Sequence, residues 1–371
     1  MVRVTEDVFA TAAENPFTRR TESVRRFTLS NGEQMSVQVI TLGATITSIK
    51  VPDDRGQIED VVLGYDNLAG YNSASNPYFG ATVGRVCNRV ANGRFELDGQ
   101  EVQVTRNMNN KHQLHGGLIG FNKAIWEVVA VRKDGVSMEH TNPDGHEGYP
   151  GEVKATVHFT LTEDNCLHLR MEAVTNKPTA VNLTNHAYFN LAGHNAGPDG
   201  IYAHTIEINA YGITETDEDS IPTGKITAVD GSAFDLRAPS NLGERLKQLL
   251  PANGFDDNFC VKWTPPQAIT KVAKATHPPT GRWLEVASNQ PGVQFYTSNF
   301  MPDTSRGEKP ITGKAGASYV KQGAFCLETQ KFPDAVNHSN FPSVILRPGE
   351  IYGHEVIYKF GIFRKSGCCK H

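Results

Sequence analysis

Along much of the chain apolar and polar residues alternate one for one. Val102 and Val104 are interleaved with Glu101, Gln103 and Thr105; Val157, Phe159 and Leu161 with His158, Thr160 and Thr162; Leu167, Leu169 and Met171 with His168, Arg170 and Glu172. Successive side chains of a strand point to opposite faces, so a period of two buries one face and wets the other, as antiparallel sheets do. The pattern predicts further strands at 205–209, 283–287, 294–297 and 354–360. Turn dipeptides separate these runs: Asn31-Gly32, Asn92-Gly93, Asp98-Gly99, Asp134-Gly135, Asp230-Gly231 and Pro348-Gly349. Asn92-Gly93 and Asp98-Gly99 are close enough to bracket one short strand. A convincing helical period occurs only at 240–250, where Ser240 is placed to cap and Leu242, Leu246, Leu249 and Leu250 share a face. Many strands and a single helix predict an all-β protein.

Residues 139–151 and 302–317 read as long loops. No fixed-period repeat or composition break marks a boundary, so one large domain spanning 1–371 is expected, with flexible termini at 1–20 and 364–371. The 371 residues carry 36 Lys+Arg against 40 Asp+Glu, a net charge of −4, which argues against a polyanion such as nucleic acid as the partner. No stretch approaches the ~20 apolar residues of a membrane span. The first sixteen residues contain Glu6, Asp7 and Glu14 and no apolar segment, so no secretory leader is expected. Six cysteines (Cys87, Cys166, Cys260, Cys326, Cys368 and Cys369) without framework spacing predict a reduced, cytoplasmic protein.

Four strings place polar groups among apolar strand residues, where burial would be costly unless they serve a purpose. They are 87–95 (CNRVANGRF), 113–117 (QLHGG), 181–190 (VNLTNHAYFN) and 325–330 (FCLETQ). His186 is either a histidine satisfied within a polar network or a general acid or base, since imidazole titrates near neutrality. Glu328 shares a strand face with Cys326 and Gln330; it is either an edge carboxylate in water or a desolvated one with raised basicity. His115 precedes two glycines, which let the backbone turn tightly and bring the ring to a ligand. With His112 it spells H-x-x-H, but no third ligand follows and a strand or loop does not hold i and i+3 on one face, so a metal site is not expected. Arg89 either clamps an oxygen ligand or covers apolar surface.

Three further patterns fail on detail. Residues 307–315 (GEKPITGKA) resemble a phosphate loop, but the glycine spacing is wrong and Ala315 replaces the magnesium-binding Ser or Thr. The sequons at Asn182 and Asn337 presuppose secretion, and the Cys368-Cys369-Lys370-His371 tail does not suit prenylation.

Taken together and in order, 88–93 (NRVANG), 114–117 (LHGG), 182–186 (NLTNH), 255–259 (FDDNF), 291–297 (PGVQFYT) and 328–335 (ETQKFPDA) resemble the aldose 1-epimerase (galactose mutarotase) family, animal type, from about Asn31 to Tyr358. The resemblance implies a large antiparallel β-sandwich, working as a monomer on hexoses such as galactose and glucose and interconverting their α and β anomers. It implies Glu328 as base, His186 as acid, and Asn88, Arg89, His115, Asp256 and Gln294 as sugar-binding residues, with no metal and no cofactor. A carboxylate beside His186 is expected to hold the imidazole charged before it donates. Asp257, Ser298 and 321–324 (KQGA) depart from the family pattern, and residues 303–318 make a longer loop than in its animal members. The competing expectations are a hexose-phosphate epimerase, which needs several cations around a phosphate, and a sugar binder without catalysis.

Overall fold

The computed structural model describes residues 1–32, 34–249, 254–262 and 268–363. Its three large sheets are antiparallel throughout. A five-stranded meander runs in chain order from Arg3–Glu14 through Thr21–Ser30, Ser36–Ile40 and Thr45–Pro52 to Ile58–Asp60. A nine-stranded sheet follows the order Glu127–Arg132, Gly135–Asn142, Val153–Leu161, Cys166–Thr175, Tyr352–Ile362, Arg282–Ser288, Thr270–His277, Thr205–Ile208 and Ser240–Asn241. A six-stranded sheet is ordered Tyr188–Phe189, Phe325–Gln330, Gly292–Tyr296, Asp256–Val261, Ala210–Thr216 and Pro222–Ala228.

The alternation predicted at 157–161 and 167–171 sits in two central strands of the nine-stranded sheet, paired from Val153–Thr175 to Leu161–Leu167. Their inward residues, Val157, Phe159, Leu167, Leu169 and Met171, are fully buried in the main core. The six-stranded sheet adds Phe259, Val293, Phe295, Phe325 and Leu327 from its inner face to the same core. Each such side chain contributes about 1.5 to 3 kcal/mol by leaving water. The opposite face of that sheet carries Asp256, Asn258, Gln294, Cys326, Glu328 and Gln330, and this face bears the candidate site.

The turn signals are realised in the backbone. Asp98 (φ 51°) and Gly99 (φ 77°) both lie in the left-handed region that a two-residue hairpin of this twist demands, joining Arg94–Leu97 to Gln100–Gln103. Three expectations are corrected. Residues 3–14 form a strand rather than a flexible terminus; it is held by backbone pairing to Thr21–Ser30, by the ion pairs Glu6–Arg25 (2.6 Å) and Asp7–Arg26, and by Val4, Phe9, Ala10 and Ala13 packing on the cores. Residues 139–142 end a strand instead of beginning a loop. The helix spans Leu242–Gln248 and is capped by Asn241 rather than Ser240: the Asn241 Oδ1 accepts from the Glu244 amide at 2.9 Å, three residues on. Two more short helices, Leu68–Asn72 and Gly197–Tyr202, occur among the described residues. Leu250 and residues 364–371 lie outside the described residues. No described helix is long and apolar enough to cross a membrane.

Candidate active site

The site is assembled on the outer face of the six-stranded sheet, in rows set by register. Glu328 stands opposite Gln294, which stands opposite Asn258; one row away Tyr188, Cys326, Tyr296 and Asp256 line up across four strands. These side chains are largely buried because three remote segments fold over them. The first, 78–89, supplies Tyr78, Asn88 and Arg89; the second supplies His115; the third, between the short strands Thr184–Asn185 and Tyr188–Phe189, supplies His186. All seven candidate residues, Asn88, Arg89, His115, His186, Asp256, Gln294 and Glu328, line one cleft. His112 does not: its Nδ1 accepts from the Asn92 amide at 3.0 Å and its Nε2 lies 3.4 Å from Asp219, so H-x-x-H is no paired site.

Local backbone bonds explain the precision. The amide of His186 donates to the Ala81 carbonyl and its own carbonyl accepts from the Gly80 amide, both at 2.9 Å. The ring is sandwiched between Tyr188 (centroids 5.0 Å apart, 12°) and Tyr78 (5.9 Å, 16°). Asn88 and His115 exchange bonds: the His115 amide donates to the Asn88 carbonyl at 2.9 Å, and the Asn88 amide donates to His115 Nδ1 at 3.2 Å. The second bond leaves the neutral ring's proton on Nε2, so His115 offers a donor to the cleft. Tyr78 (φ 66°), Asn88 (φ 59°) and His115 (φ 51°) are all in the left-handed region, so three of the backbone positions that shape the cleft are strained. Gly116 is obligatory beside them, since a Cβ there would meet the Gly84 carbonyl oxygen at 2.0 Å.

Asp256 is the hub of the binding side. Its carboxylate accepts from Gln294 Nε2 at 2.8 Å and pairs with Arg89 Nη2 at 3.2 Å. Gln330 continues the network to Asn258 Oδ1 (3.2 Å) and Gln294 Oε1 (3.4 Å). Among the described residues, two buried polar atoms in the cleft have no hydrogen-bond partner, Arg89 Nε and Glu328 Oε2. Buried groups are satisfied as a rule, so these mark where a polar ligand completes the set.

Glu328 Oε1 and His186 Nε2 are 3.7 Å apart, too far for a hydrogen bond and close enough to flank one small molecule. Burial, reinforced by the Asp256 charge and opposed by Arg89, pushes the Glu328 carboxyl well above its usual range. Burial pushes His186 down to about 4. The expectation of an imidazolium held by a carboxylate is therefore not met in the sugar-free site: desolvation disfavours both charges, raising the Glu328 carboxyl and lowering the His186 imidazole. Burial and the neighbouring His186 and Arg89 likewise keep His115 neutral.

Sequence reasoning passed over Tyr78, Tyr188 and Cys326. Cys326 was visible on the face of Glu328 and lies with Sγ 3.6 Å from His186 Nδ1; nothing local marked the tyrosines as covers for a remote histidine. The departures have local accounts. Ser298 has φ 57°, a conformation that favours glycine, and is held by its Oγ donating to the Ala324 carbonyl at 2.7 Å. Asp257 points away from the site-bearing face and accepts from the Asp256 amide at 3.0 Å. Residues 303–318 dock on the five-stranded sheet through Lys314, which bonds Asp60 at 2.7 Å and the Thr47 carbonyl at 2.9 Å, and contribute nothing to the cleft lining.

A family model described as aldose 1-epimerase matches residues 25–359. Galactose mutarotase from Bos taurus is 46% identical over 362 residues, 98% of this chain and 100% of that protein. The human galactose mutarotase is 45% identical over 340 residues, 92% and 95% of the two chains. Aldose 1-epimerase from Escherichia coli is 32% identical over 344 residues, 91% of this chain and 95% of that protein. The crystal structure of an aldose epimerase homologue from C. elegans superposes with a TM-score of 0.81 at 30% identity, covering 90% of this chain and 97% of that one. The chain belongs to the aldose 1-epimerase family.

Proposed function

We propose that this chain, an aldose 1-epimerase, interconverts the α and β anomers of hexoses such as galactose and glucose, with Glu328 and His186 exchanging the protons. The observation that carries the assignment is the pairing of two buried titratable groups, 3.7 Å apart, at the floor of a cleft rimmed by hydroxyl-binding side chains. Ring opening needs one group to take the proton of the O1 hydroxyl while another gives a proton to the ring oxygen O5. Glu328 as carboxylate takes the first and His186 as imidazolium gives the second; the C1–O5 bond breaks and an open aldehyde remains. Rotation about C1–C2 presents the other carbonyl face. Glu328 then returns its proton to O1 as O5 attacks C1, and His186 recovers its proton from O5.

Midway through this cycle Glu328 is a carboxyl and His186 a neutral imidazole, the same distribution that burial favours in the sugar-free cleft. The closed sugar has to shift one proton from carboxyl to imidazole. Hydroxyls donating to Glu328, together with the Arg89 charge, favour the carboxylate. His115 Nε2–H and Arg89 are donors placed to orient sugar oxygens, and Asp256 is an acceptor for a pair of hydroxyls, which rewards a polyol. Among the described residues Arg89 is the only Lys or Arg lining the cleft, which does not favour a phosphorylated sugar.

Polarimetry on freshly dissolved α-galactose tests the proposal: re-equilibration faster than buffer is expected, and a rate equal to buffer would overturn it. Parallel runs with glucose and glucose 6-phosphate are expected to favour the free sugar. The continuous core shared by the three sheets supports one domain, and the free, buried thiols of Cys87, Cys166, Cys260 and Cys326 support a reducing compartment.

A further inference from the structure

The five-stranded meander bears a second concavity, and among the described residues none that lines it also lines the sugar cleft. It encloses about 530 Å³, within the ~300 to 1,000 Å³ of small-molecule pockets. Register sets its floor. Gln38 stands opposite Ser48 and Lys50 opposite Asp60, so these side chains share the face turned away from the core that Val37, Val39 and Ile49 enter. Its walls come from Tyr65, His194 and the 303–318 loop, and they are fastened. Lys314 Nζ bonds Asp60 and the Thr47 carbonyl, the Ala315 amide donates to Asp66 at 2.6 Å, and His194 Nδ1 lies 2.9 Å from the Tyr319 hydroxyl. The Tyr65 ring is wedged edge-on against Tyr71 (centroids 5.3 Å apart, 86°) and packs on Phe79.

Within this frame of satisfied groups two hydroxyls are left over. Ser48 is 4% and Tyr65 6% exposed, and among the described residues neither Ser48 Oγ nor Tyr65 Oη has a hydrogen-bond partner. Buried hydroxyls cost stability when nothing completes them, so the pair marks where a polar ligand sits. Charge does not select that ligand, since Arg26, Lys50 and Lys314 are matched around the cavity by Glu59, Asp60 and Asp66. A small anion or cation meets as many like charges as opposite ones. A neutral polyol escapes that conflict, because each of its hydroxyls both donates and accepts, as those of Ser48 and Tyr65 do. At the exposed rim Lys50 adds donors and Glu59 acceptors. We propose that this cavity is a second, noncatalytic binding site for a neutral polyol of monosaccharide size. The hydroxyls of Ser48 and Tyr65 hold it, together with the Lys314 ammonium, which uses two of its three protons within the protein. The site does not rest on the roles of Glu328 and His186.

The experiment dialyses the full-length protein to equilibrium against labelled galactose, as wild type, as Ser48→Ala/Tyr65→Phe and as Asp256→Ala, which disables the cleft. Wild type is expected to take up two equivalents per chain, and Asp256→Ala to keep the one in the cavity. In Ser48→Ala/Tyr65→Phe the cleft equivalent remains and the other weakens by at least roughly tenfold. Mutarotation by that variant is expected to be unchanged. Its melting temperature without sugar should be equal to or above that of wild type, because neither hydroxyl gives up a bond within the protein. A single equivalent in wild type that Asp256→Ala abolishes overturns the site, as does a second equivalent that Ser48→Ala/Tyr65→Phe binds at full affinity. Displacement of the second equivalent by inorganic phosphate at constant ionic strength overturns the polyol assignment. A lower melting temperature of the sugar-free double variant overturns the premise that both hydroxyls are unpartnered, and the site with it. Two equivalents in a protein whose mutarotation is no faster than buffer would keep this site and overturn the catalytic assignment alone.

Discussion

His354 and His186 flank opposite faces of the strand Phe325–Gln330, both buried, and their surroundings differ in one respect. Behind the strand, His354 Nδ1 donates to the Leu183 carbonyl at 3.0 Å and its Nε2 accepts from the Thr329 hydroxyl at 2.7 Å. In front, the His186 ring nitrogens face the Cys326 sulfur at 3.6 Å and the Glu328 oxygen at 3.7 Å without a conventional N or O partner, and among the described residues Glu328 Oε2 has none. One histidine is closed and the other open. Closed polar groups hold sheets together, as Lys314 with Asp60 does and as His204 does with the Gly200 carbonyl and the Leu191 amide. Open ones cost stability and are tolerated where a substrate completes them.

The sharpest break of this contrast is at Glu328. Glu328→Gln is expected to slow mutarotation by ~10²- to 10⁴-fold, as is His186→Asn, measured by polarimetry at saturating sugar. Stability should move the other way. The folded carboxyl titrates above its ordinary value of 4.5, so just above 4.5 the wild type holds a proton that its unfolded chain has lost, and it loses stability as pH rises from that value through the raised one. Glutamine does not titrate, so the melting temperature of Glu328→Gln relative to wild type should climb across that window; a variant less stable than wild type at pH 8 contradicts a desolvated carboxyl.

On the other face, His354→Leu should cost about 2 kcal/mol by stranding the Thr329 hydroxyl and leaving the Leu183 carbonyl only the long bond from the Tyr352 hydroxyl (3.5 Å), while turnover per folded molecule survives. Denaturant melts paired with active-site titration separate the two effects, and a loss of kcat like that of His186→Asn would erase the distinction. A smaller effect is expected at the rim: Arg89→Lys removes the planar fork that reaches Asp256 and should raise KM by roughly tenfold, with kcat changed less. The smallest effect per residue is the acid response. Burial holds His186 at about 4 and His140, His204 and His354 at about 3, against 6.5 when free. Folded values that are depressed give stability present above pH 6.5 and lost as pH falls toward 4 and 3, on the order of 1 kcal/mol per histidine per pH unit. Calorimetry from pH 7 to 4 checks this; a flat melting temperature would mean that these rings are charged in the fold.

Much of this was legible before any coordinates. Alternation at 157–161, 167–171 and 325–330 identified strands and the residues sharing a face, and Asp98-Gly99 identified a hairpin. The strand 3–14 was not legible, because register shifts between Val8 and Ala10 and between Ala10 and Ala13 break the period of two, so its packed residues Val4, Phe9, Ala10 and Ala13 do not alternate in the sequence. Nor could the role of Lys314 be read from a loop that resembled a phosphate binder, since its partners Asp60 and Thr47 lie some 250 residues earlier.

By itself the sequence determined which side of each strand a residue occupies, and so that Cys326, Glu328 and Gln330 travel together, because that follows from a backbone geometry repeating every two residues. Only the tertiary structure decided that the Glu328 carboxyl is pushed up and the His186 imidazole pushed down. Desolvation is a property of everything packed around a group, and here the cover comes from Tyr78, Arg89 and His115, more than two hundred residues away from the carboxyl they enclose.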